Sequence, residues 1–209
     1  MRSVGQHIRM TTLQSFLKAH TNREARPAKG QAGEHSDWLP FYDLKLKGGA
    51  LQFVEMRVLG LRGERHVECV EVPVAPGAFE VQCRAARFAG DVRISAMRAF
   101  PQGVATHRGR KLKKIPVDLG GIAVVDIEAI HPSMQEDEDR YQEWIEDLLY
   151  ETESDLPVSV AKWEPTKTDI PCVDGGFGDG SYPVLELVSG GKVVGLEAVF
   201  IEEDATFPF

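Results

Sequence analysis

The sequence predicts a mainly β fold of the α+β class, built from antiparallel strands and hairpins. Two runs rich in β-branched residues are split by Gly190-Gly191, the pattern of a tight hairpin. Four more strand-like runs follow one another between Leu51 and Met97. One later stretch instead has helical periodicity. We therefore expect one long acidic amphipathic helix packed on the sheet, and a short N-terminal helix.

The bulk composition describes an acidic globular protein. The chain has 209 residues, a formal net charge of −8 and a pI near 5.3, so non-specific binding to nucleic acid or to an anionic membrane is disfavoured. No apolar run approaches the roughly 20 residues that span a bilayer, and the N-terminus lacks the apolar core of a secretory signal. The three cysteines, at positions 69, 83 and 172, are scattered, which predicts reduced thiols in a cytoplasmic protein.

Two parts are predicted along the chain, residues 1–37 and residues 38–209. In the first part, Leu13, Phe16 and Leu17 follow Thr12 at the spacing of a short amphipathic helix. The residues after it, Thr21–Asp37, contain few apolar side chains and predict a flexible linker or surface loop. Residues 38–209 are expected to form a single β-rich domain.

The first strands of that domain are predicted as an antiparallel meander. Leu51–Leu59 and Val67–Val74 flank a polar turn, and Ala78–Ala85 and Val92–Met97 follow. Pro73 has no N–H for a ladder, so its strand is expected at a sheet edge or near its own end.

A basic run and two further strands come next. The run His107–Lys114 lacks the interleaved aromatic residues of a nucleic-acid surface, which favours a solvated loop or an edge strand. Ile115–Ile127 is predicted as a buried strand interrupted by Gly120-Gly121, and Val158–Trp163 as another strand.

The long helix is predicted over residues 133–152. Ser133 and Glu136 have capping-box spacing, and Trp144, Ile145 and Leu148 fall on one apolar face. The opposite face is acidic and is the candidate surface for a basic protein partner, with Trp144 or Tyr150 as an aromatic anchor. Its acids are Glu136, Asp139, Glu143, Glu146 and Asp147.

The glycine-rich stretch before the final hairpin is predicted to make tight turns. Tyr182–Val188 should pair with Lys192–Phe200, and the preceding GGFGDG lacks the GK[ST] ending of a phosphate loop. Phe207-Pro208-Phe209 is apolar enough that we expect it to pack on the body.

Aspartates beside glycines or at strand ends leave one metal hypothesis open. Asp118, Asp126, Asp174 and Asp179 supply the oxygen ligands that calcium prefers, but EF-hand spacing is absent and Asp and Gly also favour turns. The six histidines show no metal-ligand spacing, and no GxSxG nucleophile motif occurs. We therefore predict no cofactor, no metal and no catalytic residues.

Several short motifs carry a family resemblance. They are PGAFEV, GDVRISAMR, PVDLGGIAVVD, GDGSYPV and GGKVVGLEAVF, between Pro76 and Phe200. In these segments the chain resembles a bacterial family known as domain of unknown function 4241. Phe177 stands where the family usually has tryptophan before its GDG, and the first fifty residues match poorly. The resemblance implies a β-rich fold and a bacterial origin, and no activity.

Two functional hypotheses follow from the sequence. The first is a non-catalytic protein-binding module, in its sharpest form an immunity-type protein that masks a basic toxin. The alternative is a metal-dependent hydrolase that uses the four aspartates. A flat exposed face would favour the binding module, and a deep pocket with convergent carboxylates would favour the hydrolase. The oligomeric state is left open.

Overall fold

A computed structural model describes residues 4–22, 26–56, 69–118, 121–134, 156–163 and 166–209. The described part contains two helices and twelve strands. The helices are α1 (Val4–His20) and α2 (Ile127–Met134). The strands are β1 (Glu34–His35), β2 (Leu39–Leu46), β3 (Ala50–Glu55), β4 (Cys69–Pro73), β5 (Gly77–Phe88), β6 (Asp91–Pro101), β7 (His107–Val117), β8 (Ile122–Val125), β9 (Val158–Trp163), β10 (Thr168–Val173), β11 (Gly180–Ser189) and β12 (Lys192–Val199).

The strands form two antiparallel sheets. A seven-stranded sheet has the order β1-β5-β6-β12-β11-β7, and β2 pairs with β5 beside β1. A five-stranded sheet has the order β4-β3-β8-β10-β9. Side chains from both sheets meet in one apolar core, to which α1 adds Leu13 and Leu17. Val81 and Met97 contribute from the first sheet, and Phe53 and Val124 from the second. The fold is therefore a β-sandwich.

The five-stranded sheet is also apolar on the face that points away from this core. A second cluster of buried side chains lies there, and α2 contributes Ile130 to it. Strands buried on both faces carry near-continuous apolar runs, as β8 does with Ile122–Val125. The remaining members of the second cluster are Val54, Met56, Cys69, Ala123, Val125, Ala161, Trp163, Ile170 and Cys172.

Several sequence predictions are confirmed. β11 and β12 form the predicted hairpin around Gly190 and Gly191, whose φ angles of 55° and 75° are those that glycine adopts at little cost. β9 has the predicted bounds, and β3 pairs with β4. β4 is an edge strand that ends at Pro73, and the basic run forms the edge strand β7.

The predicted meander is wrong, because β3 and β4 belong to one sheet whereas β5 and β6 form a hairpin in the other. The predicted strand Ile115–Ile127 is divided in the same way between β7 and β8. The crossing occurs near Gly121, where a Cβ atom would lie 2.3 Å from the Val173 carbonyl oxygen. None of the three strands β1, β2 and β10 was predicted, and β1 lies in the stretch that is predicted as a linker or loop.

The predicted fold class is wrong in its long helix. The described part has two short helices, and no long helix packs on a sheet there. Helix α2 begins at Ile127, six residues before the predicted cap Ser133, because the Asp126 side chain accepts the Ala129 N–H at 3.4 Å. The described part of α2 extends to Met134. Most of the predicted span lies outside the described residues, including Trp144, Ile145 and Leu148, which the sequence predicts to be buried.

The N-terminal residues are joined to the sandwich by backbone hydrogen bonds. Thr12 lies inside α1 and does not cap it. The Asn22 N–H donates to the Gly90 carbonyl. The Gly30 N–H donates to the Phe207 carbonyl, and the Phe207 N–H donates to the Gln31 carbonyl. The division at residue 37 stays a prediction. Among the described helices, none combines the length and apolarity needed to cross a membrane.

Candidate functional site

The face of the seven-stranded sheet that points away from the core is the strongest candidate surface. Strand residues alternate between faces, so those next to the core residues Cys83, Met97 and Ala198 point outward. We call this surface the outer face. It is formed by Trp38, Glu80, Gln82, Arg84, Arg98, Phe100, Arg108, Leu185, Leu187 and Glu197. Register places Gln82, Arg98, Glu197 and Leu185 side by side across four strands.

One half of the outer face is organised around a buried ion pair. Arg108 donates from Nε and Nη2 to Glu197 Oε1 at 2.9 and 2.6 Å. Only 1% of Glu197 is exposed. The hydrogen bond to Glu197 raises the pKa of Arg108.

The other half is organised around Arg98, which stacks on two aromatic rings. Its guanidinium carbon lies 4.1 Å from the centre of the Trp38 ring and 5.0 Å from that of Phe100. Its Nε donates to Gln82 Oε1 at 2.8 Å. Burial lowers the pKa of Arg98, although Glu197 and Glu80 act in the opposite direction. We call Trp38, Gln82, Arg98 and Phe100 the stacked cluster.

The glycine-rich loop brings two of the predicted aspartates near each other. Partial burial raises the pKa of Asp174 above its usual value, Asp179 raises it further, and Arg93 lowers it. The pairing of Gly180 with Val117 puts Asp118 and Asp179 at adjacent strand ends. The loop is packed tightly, since a Cβ on Gly176 would lie 2.7 Å from Tyr182 Oη, which donates to the Gly178 carbonyl. Gly176 therefore serves close packing, whereas Gly178, with a φ of 106°, has no atom within 4 Å of a Cβ position and serves the turn.

Asp126 lies apart from the glycine-rich loop and has a structural role, because its carboxylate binds backbone N–H groups. Its Oδ2 accepts the backbone N–H groups of Lys47 and Gly48 at 2.5 and 3.1 Å, and Glu128 accepts the N–H of Gly49 at 3.0 Å. The loop between β2 and β3 is thereby fixed to the start of α2. Within the described ranges, no group of three His, Cys, Asp or Glu side chains is placed to hold a metal ion. The four aspartates thus do not assemble into one site.

The three cysteines and Ser95 are inaccessible. Cys69, Cys83 and Cys172 are all buried, and burial raises the pKa of Cys172 to about 12. Only 1% of Ser95 is exposed. Its hydroxyl donates to the Arg84 carbonyl at 3.0 Å, although His35 Nδ1 lies 3.2 Å from it. None of these groups can reach a substrate in this arrangement.

A groove of about 650 Å³ lies between the two edge strands β4 and β7. Val70 and Leu112 contribute apolar surface, and Arg110, Lys111 and Glu71 are charged. Strand β7 pairs with β11 through two register shifts. Bulges and cations are the usual protection of a sheet edge against pairing, so edge protection accounts for the basic strand.

The acidic surface predicted from the sequence lies outside the described residues; this applies to Glu136, Asp139, Glu143, Glu146 and Asp147. Sequence reasoning missed the stacked cluster. The sequence signal for this cluster was Arg98, a charged residue that stands between the apolar residues Met97 and Ala99 in β6. No protein-family model, curated protein or solved structure matches the chain. The resemblance to domain of unknown function 4241 stays an expectation.

Proposed function

We propose that this chain is a non-catalytic protein-binding module that contacts its partner through the outer face. The stacked cluster is the observation that carries the proposal. Tryptophan and arginine are the residues most enriched at the energetic centres of protein interfaces. Here Trp38 and Phe100 hold the guanidinium of Arg98 in place before any partner arrives. A side chain ordered in advance loses less entropy on binding.

The chemistry of the described residues favours binding over hydrolysis. The predicted aspartates are divided between the glycine-rich loop and the Asp126 contacts with Lys47 and Gly48. A hydrolase would need convergent carboxylates or an activated nucleophile in a pocket. The outer face instead offers charged side chains and rings that are held by one another.

A finer proposal concerns the charge of the partner. Ten acidic residues and one basic residue lie between positions 135 and 155, so this segment carries a net charge of −9 and the rest of the chain +1. Such a concentrated field accelerates the encounter with a basic protein. We therefore retain an immunity-type protein that masks a basic toxin as the specific proposal, with Glu136, Asp139, Glu143, Glu146 and Asp147 assisting recognition. The bacterial origin and the cytoplasmic location stay predictions.

Affinity capture with matched variants tests the binding role. The bait is compared with a Trp38→Ala/Arg98→Ala double variant and with an Arg87→Ala control, because Arg87 lies in the same sheet but already pairs with Glu34. A specific partner should be retained by the parent and the control and lost by the double variant, with all three baits folded. Equal recovery by all three baits, or no specific protein on any of them, would overturn the proposal.

A further inference from the structure

The arginines of the seven-stranded sheet are not equivalent in their charge partners. Strands β5, β6 and β7 carry six arginines, and five of them form an ion pair with a carboxylate. The pairs are Arg84–Glu203, Arg87–Glu34, Arg93–Asp91, Arg108–Glu197 and Arg110–Glu186. Within the described part of the chain, Arg98 has no carboxylate within ion-pair distance.

Arg98 is nevertheless partly buried, and burial acts against the charge of its guanidinium. Gln82 accepts from its Nε and Nη2, but an amide oxygen brings no compensating charge. Glu197 and Glu80 favour the charged guanidinium from beyond ion-pair distance and do not cancel the effect of burial. A partly buried cation without a carboxylate in direct contact is unfavourable, whereas a bidentate carboxylate pair is among the strongest hydrogen-bonded contacts. The free protein therefore bears a cost at Arg98 that a bound carboxylate would relieve.

The geometry leaves donors for such a carboxylate. A guanidinium has five N–H groups, and Gln82 engages one on Nε and one on Nη2, so three remain. Stacking on Trp38 and Phe100 restricts the plane of the group and thus the direction from which a carboxylate can approach. Glu197, although opposite Arg98 in register, is taken by Arg108.

We propose that the stacked cluster receives an aspartate or glutamate side chain of the partner protein, whose carboxylate pairs with the Arg98 guanidinium. This inference rests on the proposed binding role. It is compatible with a partner that is basic overall, because the field of segment 135–155 acts on association at long range, whereas a desolvated ion pair acts on dissociation. The carboxylate would fix the register of the complex.

Selection from a displayed library of random peptides tests the inference without knowledge of the natural partner. The parent protein is the target, and enriched peptides are measured against folded Arg98→Ala, Arg98→Glu and Trp38→Ala variants, with Arg87→Ala as the control. We expect peptides with one indispensable Asp or Glu. They should bind Arg98→Ala about tenfold more weakly or worse, bind Arg87→Ala normally, and regain affinity for Arg98→Glu when that acid is replaced by lysine.

Two other results are distinguishable. Peptides that require Trp38 but contain no necessary acid, or that bind Arg98→Ala as tightly as the parent, would overturn the carboxylate inference and leave the outer face as a binding surface. If no enriched peptide depends on Trp38 or Arg98, both the inference and the proposed function are contradicted.

Discussion

The two sheets share one core but use their remaining faces differently. The five-stranded sheet buries a second apolar cluster that includes Trp163 and Ile170, whereas the seven-stranded sheet presents arginines, glutamates and aromatic rings. On the five-stranded sheet, side chains on both faces contribute to stability. On the seven-stranded sheet, one face is not needed to close the core. Its ordered polar side chains are therefore free to serve recognition, and stability and binding should separate when the two faces are altered.

The largest effect is expected on the five-stranded sheet. Trp163 is 3% exposed in the second cluster, so Trp163→Ala should lower the free energy of unfolding by about 3–5 kcal/mol. Arg98→Ala, on the outer face, should lower it by about 1 kcal/mol or less, because the loss of stacking and of the hydrogen bonds to Gln82 is partly offset by removal of the partly buried charge. Urea denaturation of both variants measures the difference. Equal losses would remove the distinction between the two faces.

The second largest loss of stability is expected from removal of the Asp126 hydrogen bonds. In Asp126→Asn the charge is lost, and the amide N–H₂ can face the backbone donors of Lys47 and Gly48. Hydrogen bonds to charged groups contribute more than neutral ones, so we expect a loss of about 2–3 kcal/mol. Glu128→Gln is the matched control, since that exposed side chain accepts one N–H, from Gly49. Urea denaturation measures the free energy of unfolding of both variants. If Glu128→Gln lowers it as much as Asp126→Asn does, the buried carboxylate has no special structural role.

The hairpin turn should give a smaller loss. Gly191 has a φ of 75°, and a Cβ there would have no neighbouring atom within 4 Å, so only backbone strain opposes a side chain. Gly191→Val should lower stability by about 1–2 kcal/mol, the usual cost of left-handed backbone for a non-glycine residue. Lys192→Val, beside it on an exposed strand position, should change stability by about 0.5 kcal/mol or less. Thermal unfolding that leaves Gly191→Val at the parent value would contradict the turn assignment.

The smallest effect concerns the pH dependence of stability that His35 contributes. Burial lowers the pKa of His35 below its usual 6.5, and Arg84 lowers it further, while Glu203 and the Glu202 carbonyl oppose the shift. The folded state therefore binds a proton less readily than the unfolded chain, and stability should fall as pH drops through and below about 6.5. Unfolding midpoints from about pH 7 to pH 5 should decline less in His35→Gln than in the parent. Parallel declines would rule out His35 as the cause.

Local patterns in the sequence predicted the hairpins but not their assignment to sheets. Gly190-Gly191 and Pro73 act through backbone geometry that is fixed within a few residues, and both predictions hold. The crossing from β7 to β8 depends on packing between distant strands, which periodicity does not encode. The helix start was misplaced for a similar reason. Asp126 was considered only as a metal ligand, yet its carboxylate caps α2 and binds a loop about eighty positions earlier in the chain.

The candidate surface was still harder to predict. Acidic residues were chosen from helical spacing, and they lie outside the described residues. The stacked cluster instead joins Trp38, Gln82 and Arg98, which only the pairing of β5 with β6 and the course of the chain into β2 bring together. A single arginine in an alternating strand looks like an ordinary solvated side chain. Its significance depends on which neighbours are charged, and that depends on the register.

Hydroxyl-radical footprinting of the protein alone and bound to its captured partner tests the binding role of the outer face most directly. Trp38 is partly exposed and reactive, and Phe209, which is 70% exposed and packs on Phe177 and Phe207, is the internal reference. We expect oxidation of Trp38 to fall markedly in the complex while that of Phe209 is unchanged. Unchanged oxidation of Trp38 in a saturated complex would show that the partner binds elsewhere.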